Sequence, residues 1–393
     1  MAIRSQISKA ARLKLLTELL SIPGPSGQEK RVADYISDEL QAAGLDSSYI
    51  RFDNANRKTP IAGDTGNMVV RLPGSNTGPR RLLMAHMDTV PICVGTIPKK
   101  SGKRIKSANK QTGLGADDRA GVAVCLITAL EILRQELDHP PLTFLWTIQE
   151  EIGLYGARLA QLGLLGKPKL AFNWDGGAAN KLTIGATGGY RMEIEVLGQA
   201  SHAGGAPERG VSAIAIAGLA IAELQKKGWH GDIRKGGKRG TSNIGVIEGG
   251  RATNVVTDRV VLRAEARSHD AEFRQRIIEA ITNAFENAAT AVKNVDGNCG
   301  SVKIEGRLDY DSFKLHSDEP CVLAACEAVR ATGNEPEIAI SNGGLDANWL
   351  SARSIPTVTL GCGQINQHMV TEELDIDQFH QACDIALYLA TRV

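Results

Sequence analysis

Short apolar runs alternate with helical patterns through the first 185 residues, and this alternation constrains the fold more than any other feature. Residues 82–85, 142–148 and 170–174 are predicted strands, and residues 119–137 are a predicted helix. Strand, helix and strand joined by short links form a largely parallel sheet with helices on both faces. The sequence therefore predicts an α/β domain of this kind.

The pattern changes near residues 185–189, where a glycine-rich stretch precedes segments in which polar and apolar residues alternate. Such alternation indicates strands with one face exposed to water. Residues 191–197 and 256–266 are predicted strands of this type, and residues 211–224 and 271–292 are predicted helices. We therefore expect an α+β domain at 186–310, inserted into a discontinuous α/β domain formed by 1–185 and 311–393.

Charge and composition narrow the range of partners. The 45 basic and 44 acidic residues leave a net charge of +1, which offers no attraction to nucleic acid or anionic membranes. The longest apolar run, residues 122–130, is about half of what a membrane span needs, and no signal-peptide core is visible. Seven cysteines without a Cys-x-x-Cys pair argue against a disulfide scaffold. We expect a cytoplasmic protein without nucleic-acid or membrane partners, and interpret the basic stretches 99–110 and 226–239 as solvated loops.

Imidazole and carboxylate side chains follow the predicted strands at the points where the strands end. They are His86, Asp88, Glu150, Glu151, Asp175 and His368, and Asp117 and Asp118 come just before the predicted helix. Singly, each has an ordinary interpretation, such as a surface histidine, a solvated strand end or a helix cap. Because the carboxyl ends of parallel strands meet at one edge of a sheet, we expect these side chains to converge. Two histidines and three carboxylates suit two divalent ions of the zinc type, with one carboxylate bridging.

Six motifs in a fixed order resemble those of a known enzyme family. They are HMDTVP at 86–91, GADDRAG at 115–121, EEIG at 150–153, NWD at 173–175, SHAG at 201–204 and QH at 367–368. With them the chain resembles, over essentially its whole length, the dinuclear zinc aminoacylase and carboxypeptidase family, and within it the peptidase T-like tripeptidases. One departure is Arg119, which stands where lysine is frequent in the family.

The resemblance assigns roles to the strand-end residues. It implies that one zinc ion is held by His86, Asp117 and Asp175, and the other by Asp117, Glu151 and His368. It further implies that Asp88 orients His86 and that Glu150 is the general base. In the family the peptide bond after the bridging carboxylate is cis, so we expect the same between Asp117 and Asp118. The expected cofactors are two Zn²⁺ per subunit, with Co²⁺ or Mn²⁺ as alternative divalent ions.

The resemblance also assigns roles to the inserted domain, which serves in the family as a lid and for dimerisation. It implies that His202 stabilises the oxyanion, in its own subunit or in the partner. Asn254 and Arg267 match positions that hold the substrate backbone or its carboxylate. Gly343 and Gly344 belong to a substrate-binding stretch that departs from the family's Gly-Gly-Thr-Asp at its third position.

Together these residues imply a homodimeric enzyme that hydrolyses peptide bonds in short peptides with the help of metal. The main expectation is an aminopeptidase of the tripeptidase type, in which Glu150 takes a proton from the attacking water. The alternative with the same dinuclear site is an N-acyl amino acid deacylase or a carboxypeptidase. A binding protein with an inactive metal site is disfavoured because Glu150 is present, and a two-metal phosphoesterase because its ligands are usually richer in oxygen.

Overall fold

The computed structural model describes residues 6–392, and the chain divides into two compact units. The first unit comprises Met1–Gly185, Lys314–Ser341 and Leu345–Val393, and the second comprises Ala186–Phe313 and Asn342–Gly344. The second unit therefore extends to Phe313 rather than 310, and it includes a short later segment that the sequence did not suggest.

Strands and α-helices are numbered here in chain order within the described residues. The strands are β1 Ile50–Phe52, β2 Met68–Leu72, β3 Arg81–His86, β4 Pro98–Ser101, β5 Arg104–Ser107, β6 Leu142–Thr147, β7 Leu170–Trp174, β8 Lys181–Ala186, β9 Gly188–Leu197, β10 Gly231–Lys235, β11 Lys238–Gly249, β12 Arg259–Ser268, β13 Ser301–Tyr310, β14 Phe313–Lys314, β15 Glu337–Ser341, β16 Thr357–Leu360, β17 Gln364–Ile365 and β18 Glu373–Asp375. The helices are α1 Lys9–Ser21, α2 Lys30–Ala42, α3 Ala116–Gln135, α4 Tyr155–Leu159, α5 Leu162–Leu165, α6 Ala213–Lys226, α7 Ala271–Ala291, α8 Pro320–Ala331, α9 Asp346–Ala352 and α10 Ile376–Thr391.

The first unit is built on a mixed sheet, for which the described residues supply nine strands. Its order is β1-β2-β6-β3-β7-β16-β8-β14, and β15 pairs with β8. The central strands β6, β3, β7 and β16 are parallel, whereas the pairs β1/β2, β2/β6 and β8/β16 are antiparallel. The expected α/β class is confirmed, and its parallel part lies at the centre of the sheet. Residues that follow these four strands therefore reach the same edge.

Helices cover both faces of this sheet because its central strands are apolar on both sides. Every residue of β3 and of β6 is buried, and α3 is buried throughout its first four turns. One face packs against α1, α2, α3, α8 and α10. On the other face, Leu82 and Met84 pack with Leu165 of α5 and Leu350 of α9. Within residues 6–392, no helix combines the length and the apolar character needed to cross a membrane.

The first basic stretch, residues 99–110, lies in a small sheet with the order β17-β18-β5-β4. Lys106 pairs with Glu373 at 2.5 Å, and Arg104 pairs with Asp375 at 2.7 Å. The segment is largely exposed, as expected, but it forms strands instead of a loop. The acidic strand β18, distant in sequence, neutralises part of its charge.

The second unit is a five-stranded antiparallel sheet with the order β10-β11-β12-β9-β13, and α6 and α7 pack on one face. The alternation in the sequence explains this arrangement. In β9, Met192, Ile194 and Val196 are buried against the helices, whereas Arg191 and Glu193 are exposed. One face of the sheet thus forms the core of the unit and the other carries polar side chains.

The second basic stretch, residues 226–239, contains β10 and the turn into β11 instead of the expected loop. Lys235 pairs with Lys238 across the turn, and Gly236 and Gly237 between them have φ of 58° and 74°. A two-residue turn of this kind requires positive φ at both positions, which glycine adopts without strain. The adjacent glycines are thus a stronger signal than the charge of the segment.

Candidate active site

His86 is the last residue of β3, and its ring is held from both sides. Its Nδ1 lies 3.1 Å from the main-chain oxygen of Asp88, and its Nε2 lies 3.1 Å from Oδ1 of Asp117. Burial alone would lower the pKa of His86, but the hydrogen bonds with Asp117 and Asp88 outweigh it and raise that pKa. The residue expected to orient His86 therefore does contact its ring.

Asp88 also connects the ends of two neighbouring strands. Its carboxylate is fully buried and accepts hydrogen bonds from the main-chain N–H groups of Glu150 at 2.9 Å and Glu151 at 3.2 Å. The hydroxyl of Ser26 donates a third bond at 2.6 Å. Burial acts to raise the pKa of Asp88, but His86 and these donors lower it below its usual range. One carboxylate thus fixes the segment after β3 against the segment after β6.

Asp117 lies between the two expected histidine ligands. Its Oδ1 faces His86, and its Oδ2 lies 3.2 Å from Nε2 of His368. The same Nε2 is 3.0 Å from Oε2 of Glu151. Burial would raise the pKa of Asp117, but the hydrogen bonds with His368 and His86 hold it far below its usual range. The expected cis peptide bond between Asp117 and Asp118 is confirmed.

Glu150 and Asp175 form a second group of close polar atoms with His86. One ligand atom of each lies within 4.8 Å of the others, and the same holds for His86, Asp117 and Glu151. Burial raises the pKa of Glu150, and burial together with the Asp117 carboxylate raises that of Asp175 to about 8. The site therefore concentrates carboxylates and imidazoles, as a binding site for divalent cations requires.

Asp118 and Arg119 are buried beside this cluster and bind main-chain groups of neighbouring segments. The Asp118 carboxylate accepts the N–H of His86 at 3.2 Å and that of Gly121 at 3.0 Å. Arg119 donates to the carbonyl oxygen of Gly24 at 3.4 Å. These residues attach the start of α3 to β3 and to the segment before α2.

Two residues that the sequence reasoning missed support the cluster from outside. Ser26 binds Asp88, as described above, and Glu372 accepts three main-chain N–H groups from the segment that leads to Asp117. Ser26 lies shortly before α2, and Glu372 lies four residues after His368. Their side chains are ordinary surface types, so the sequence pattern alone carries no signal for their roles.

The residues expected to bind substrate all belong to the second unit. They are His202, Asn254, Arg267, Gly343 and Gly344. The ring of His202 is exposed, and its Nδ1 accepts the N–H groups of Gly204 at 3.1 Å and Gly205 at 2.9 Å. Because Nδ1 is an acceptor in these bonds, the neutral ring carries its proton on Nε2.

Arg267 is paired within its own strand. Its Nε and Nη2 bind the two oxygens of Glu265 at 3.0 and 2.9 Å. Gly344 lies against the ring of Tyr310, where a Cβ would come within 2.4 Å of Cζ. A side chain at position 344 would therefore displace Tyr310.

Histidines and carboxylates lie at the ends of parallel strands, and a separate α+β unit is inserted into the domain that carries them. This combination indicates a hydrolase of the metallopeptidase class. The chain belongs to the peptidase family M20/M25/M40, whose sequence profile it matches over residues 82–392. It is therefore a hydrolase that acts on peptide bonds, and the family expected from the motifs is confirmed.

Solved structures of two peptidases resemble this chain over nearly its whole length. A tripeptidase from Staphylococcus aureus is 30% identical with a TM-score of 0.86, and the match covers 98% of each chain. The aminopeptidase PepT from Bacillus cereus is 28% identical with a TM-score of 0.82, again over 98% of each chain. Carboxypeptidase G2 from a Pseudomonas species is 27% identical over 395 residues, which is 98% of this chain and 88% of that protein.

Proposed function

We propose that this peptidase is a dinuclear zinc aminopeptidase that removes the first residue from short peptides, tripeptides among them. The observation that carries the proposal is the placement of Asp117 between His86 and His368, with one oxygen toward each. The likeness to a tripeptidase across 98% of both chains supports the choice of substrate.

The donor set fits two divalent ions. Nitrogen and carboxylate oxygen are the ligands that zinc takes in catalytic sites, and the cluster offers both in two overlapping groups. The residues that would hold the ions are His86, Asp117 and Asp175 for one, and Asp117, Glu151 and His368 for the other. When bound, such ions lower the pKa of a coordinated water and polarise the scissile carbonyl.

Glu150 remains for proton transfer once these ligands are assigned. Its main-chain N–H donates to the Asp88 carboxylate, and this bond fixes the position of the Glu150 backbone. Glu150 takes the proton of the attacking water and returns it to the leaving amine. His202, with its proton on Nε2, is suited to donate a hydrogen bond to the oxyanion.

The second unit supplies the remaining contacts in this proposal. Arg267 and Asn254 hold the backbone or the terminal carboxylate of the peptide, and the stretch with Gly343 and Gly344 contacts it. The pairing with Glu265 leaves Nη1 of Arg267 for such a carboxylate. The second unit would serve as a lid, and it would form the dimer contact.

A homodimer is supported by the exposed face of α6. Ile214 is 50% exposed and Leu219 is 52% exposed, and the exposed small residues Ala215, Gly218 and Ala222 lie on the same face. A second copy of the chain would cover this apolar face. Light scattering should give the mass of a dimer, and Leu219→Glu should give that of a monomer. A wild-type monomer would refute this part of the proposal.

A cytoplasmic location is part of the proposal as well. All seven cysteines are thiols in the structure, and five of them are buried. Reduced cysteines are typical of proteins in the cytoplasm.

A substrate panel tests the proposed activity. A free tripeptide should yield its first residue and a dipeptide, whereas the N-acetylated tripeptide, an N-acetyl amino acid and a phosphomonoester should be inert. Removal of metal with a chelator should abolish turnover, and added zinc should restore it. Release of the last residue, with cleavage of the N-acetylated peptide, would instead establish the carboxypeptidase alternative that the likeness to carboxypeptidase G2 supports.

A further inference from the structure

Glu372 is a buried carboxylate that makes its main contacts with a distant main-chain segment. The residue is 2% exposed. Its Oε2 accepts the N–H groups of Leu114 at 2.8 Å and Gly115 at 2.6 Å, and its Oε1 accepts that of Asp117 at 3.0 Å. Both oxygens therefore bind the segment that delivers the Asp117 side chain to the site.

The position of Glu372 itself is set by the loop that carries His368. Residues 366–372 connect β17 and β18, which pair at the base of the loop through Ile365 and Glu373. The N–H of Glu372 also donates to the carbonyl oxygen of Met369 at 3.0 Å, which closes the turn after His368. Glu372 thus links the loop that presents His368 to the segment that presents Asp117, and both are expected metal ligands.

We propose that Glu372 is a positioning residue that sets the separation of Asp117 and His368, and through it the affinity of the metal ion between them. The proposal rests on the proposed dinuclear function. Without Glu372, three N–H groups near the start of α3 lose their acceptor, and the Asp117 segment loses one of its links to the His368 loop. His368 is half exposed, so packing around its own ring does little to fix it.

A carboxylate suits this task better than an amide. Glutamine has one acceptor oxygen, and its amide donors would face N–H groups. Hydrogen bonds to an ionised acceptor are also stronger than those to a neutral one. Glu372→Gln should therefore loosen the segment while it preserves the size of the side chain.

Metal affinity of the purified full-length protein tests the proposal. Zinc is titrated against a chromophoric chelator, and Glu372→Gln is compared with the wild type and with Glu131→Gln. Glu131 is a matched control, because it is also buried and accepts the N–H groups of Gln6 and Ile7, and it lies in the second half of α3. Supporting residues outside a metal site typically change affinity by about 10- to 100-fold.

We expect Glu372→Gln to lose affinity in that range for one of two ions, and Glu131→Gln to bind both as the wild type does. Equal affinities in Glu372→Gln and the wild type, or an equal loss in both variants, would overturn the proposal. If Glu372→Gln does not fold, Glu372→Asp decides, because the shorter carboxylate cannot reach both Gly115 and Asp117. Wild-type affinity in that variant also overturns it. A wild-type protein that binds no zinc would instead refute the proposed function.

Discussion

The two neighbouring glutamates after β6 should respond differently when their charge is removed. Their main-chain N–H groups both donate to Asp88, at 2.9 and 3.2 Å, so a change of either side chain leaves this anchor in place. Glu150→Gln keeps the size and polarity of the side chain but removes the proton acceptor. Turnover should fall by about two to four orders of magnitude, equivalent to about 3–5 kcal/mol of activation free energy. Metal content should stay at the wild-type level.

Glu151→Gln should act on the metal instead. The two oxygens of Glu151 lie 3.1 and 3.0 Å from Nε2 of His368, within the group proposed to hold one ion. A neutral amide oxygen is a poorer zinc ligand than a carboxylate. This variant should therefore purify with less than two ions per subunit, and its activity should recover in part when zinc is added in excess.

Metal analysis and steady-state kinetics on the two purified variants decide between the roles. Each variant is dialysed, its metal content is measured, and kcat for a tripeptide is followed as zinc is added. Thermal unfolding curves control for damage to the fold. Because Glu150 also lies close to His86 and Asp175, the structure allows the opposite outcome. If Glu150→Gln loses an ion while Glu151→Gln keeps both, the assignment of the pair is reversed.

Three further outcomes can be measured. Mixed dimers of His202→Ala and Glu150→Ala subunits, each inactive alone, should regain partial activity if His202 acts in the partner's site. Verified mixed dimers that stay inactive would contradict a role of His202 in the partner's site. Burial lowers the pKa of His380 to about 4, below its unfolded value of 6.5. The free energy of unfolding should therefore fall as the pH drops from about 6.5 to about 4. In denaturant titrations, His380→Gln should flatten that fall. Gly121→Ala places a Cβ 2.2 Å from the carbonyl oxygen of Trp174 and should lower the free energy of unfolding by about 1–3 kcal/mol, whereas Gly163→Ala, which meets open space, should not.

The sequence predicts best those features that depend on neighbouring residues along the chain. His86 and Asp175 stand directly after apolar runs, so the edge of the sheet on which they lie follows from local pattern and strand direction. The class of the fold and the alternation in β9 are predicted for the same reason. The hairpin at Gly236 and Gly237 also has a local signal, which was outweighed by the surrounding charge.

Roles that depend on distant main-chain groups are not visible in the sequence. Glu372 binds Leu114, 258 positions earlier, and Ser26 binds Asp88, 62 positions later. Any exposed loop can contain a glutamate or a serine, and only the folded chain shows which main-chain groups lack another acceptor. The boundary of the second unit is hard to predict for the same reason, because Asn342–Gly344 joins it across the intervening strands and helix of the first.

The way in which the second unit interrupts the first has a consequence for the order of folding. The chain leaves the first unit after β8 and returns at β14, and the N–H of Leu315 donates to the carbonyl oxygen of Ile184 at 2.7 Å, so the two ends of the insertion lie together. Strand β16, however, must pair with β7 in the centre of the sheet, and it emerges from the ribosome only after the whole insertion. An insertion that folds as soon as it is made replaces a long flexible loop with a short bridge, which lowers the entropy cost of closing the β7–β16 pair.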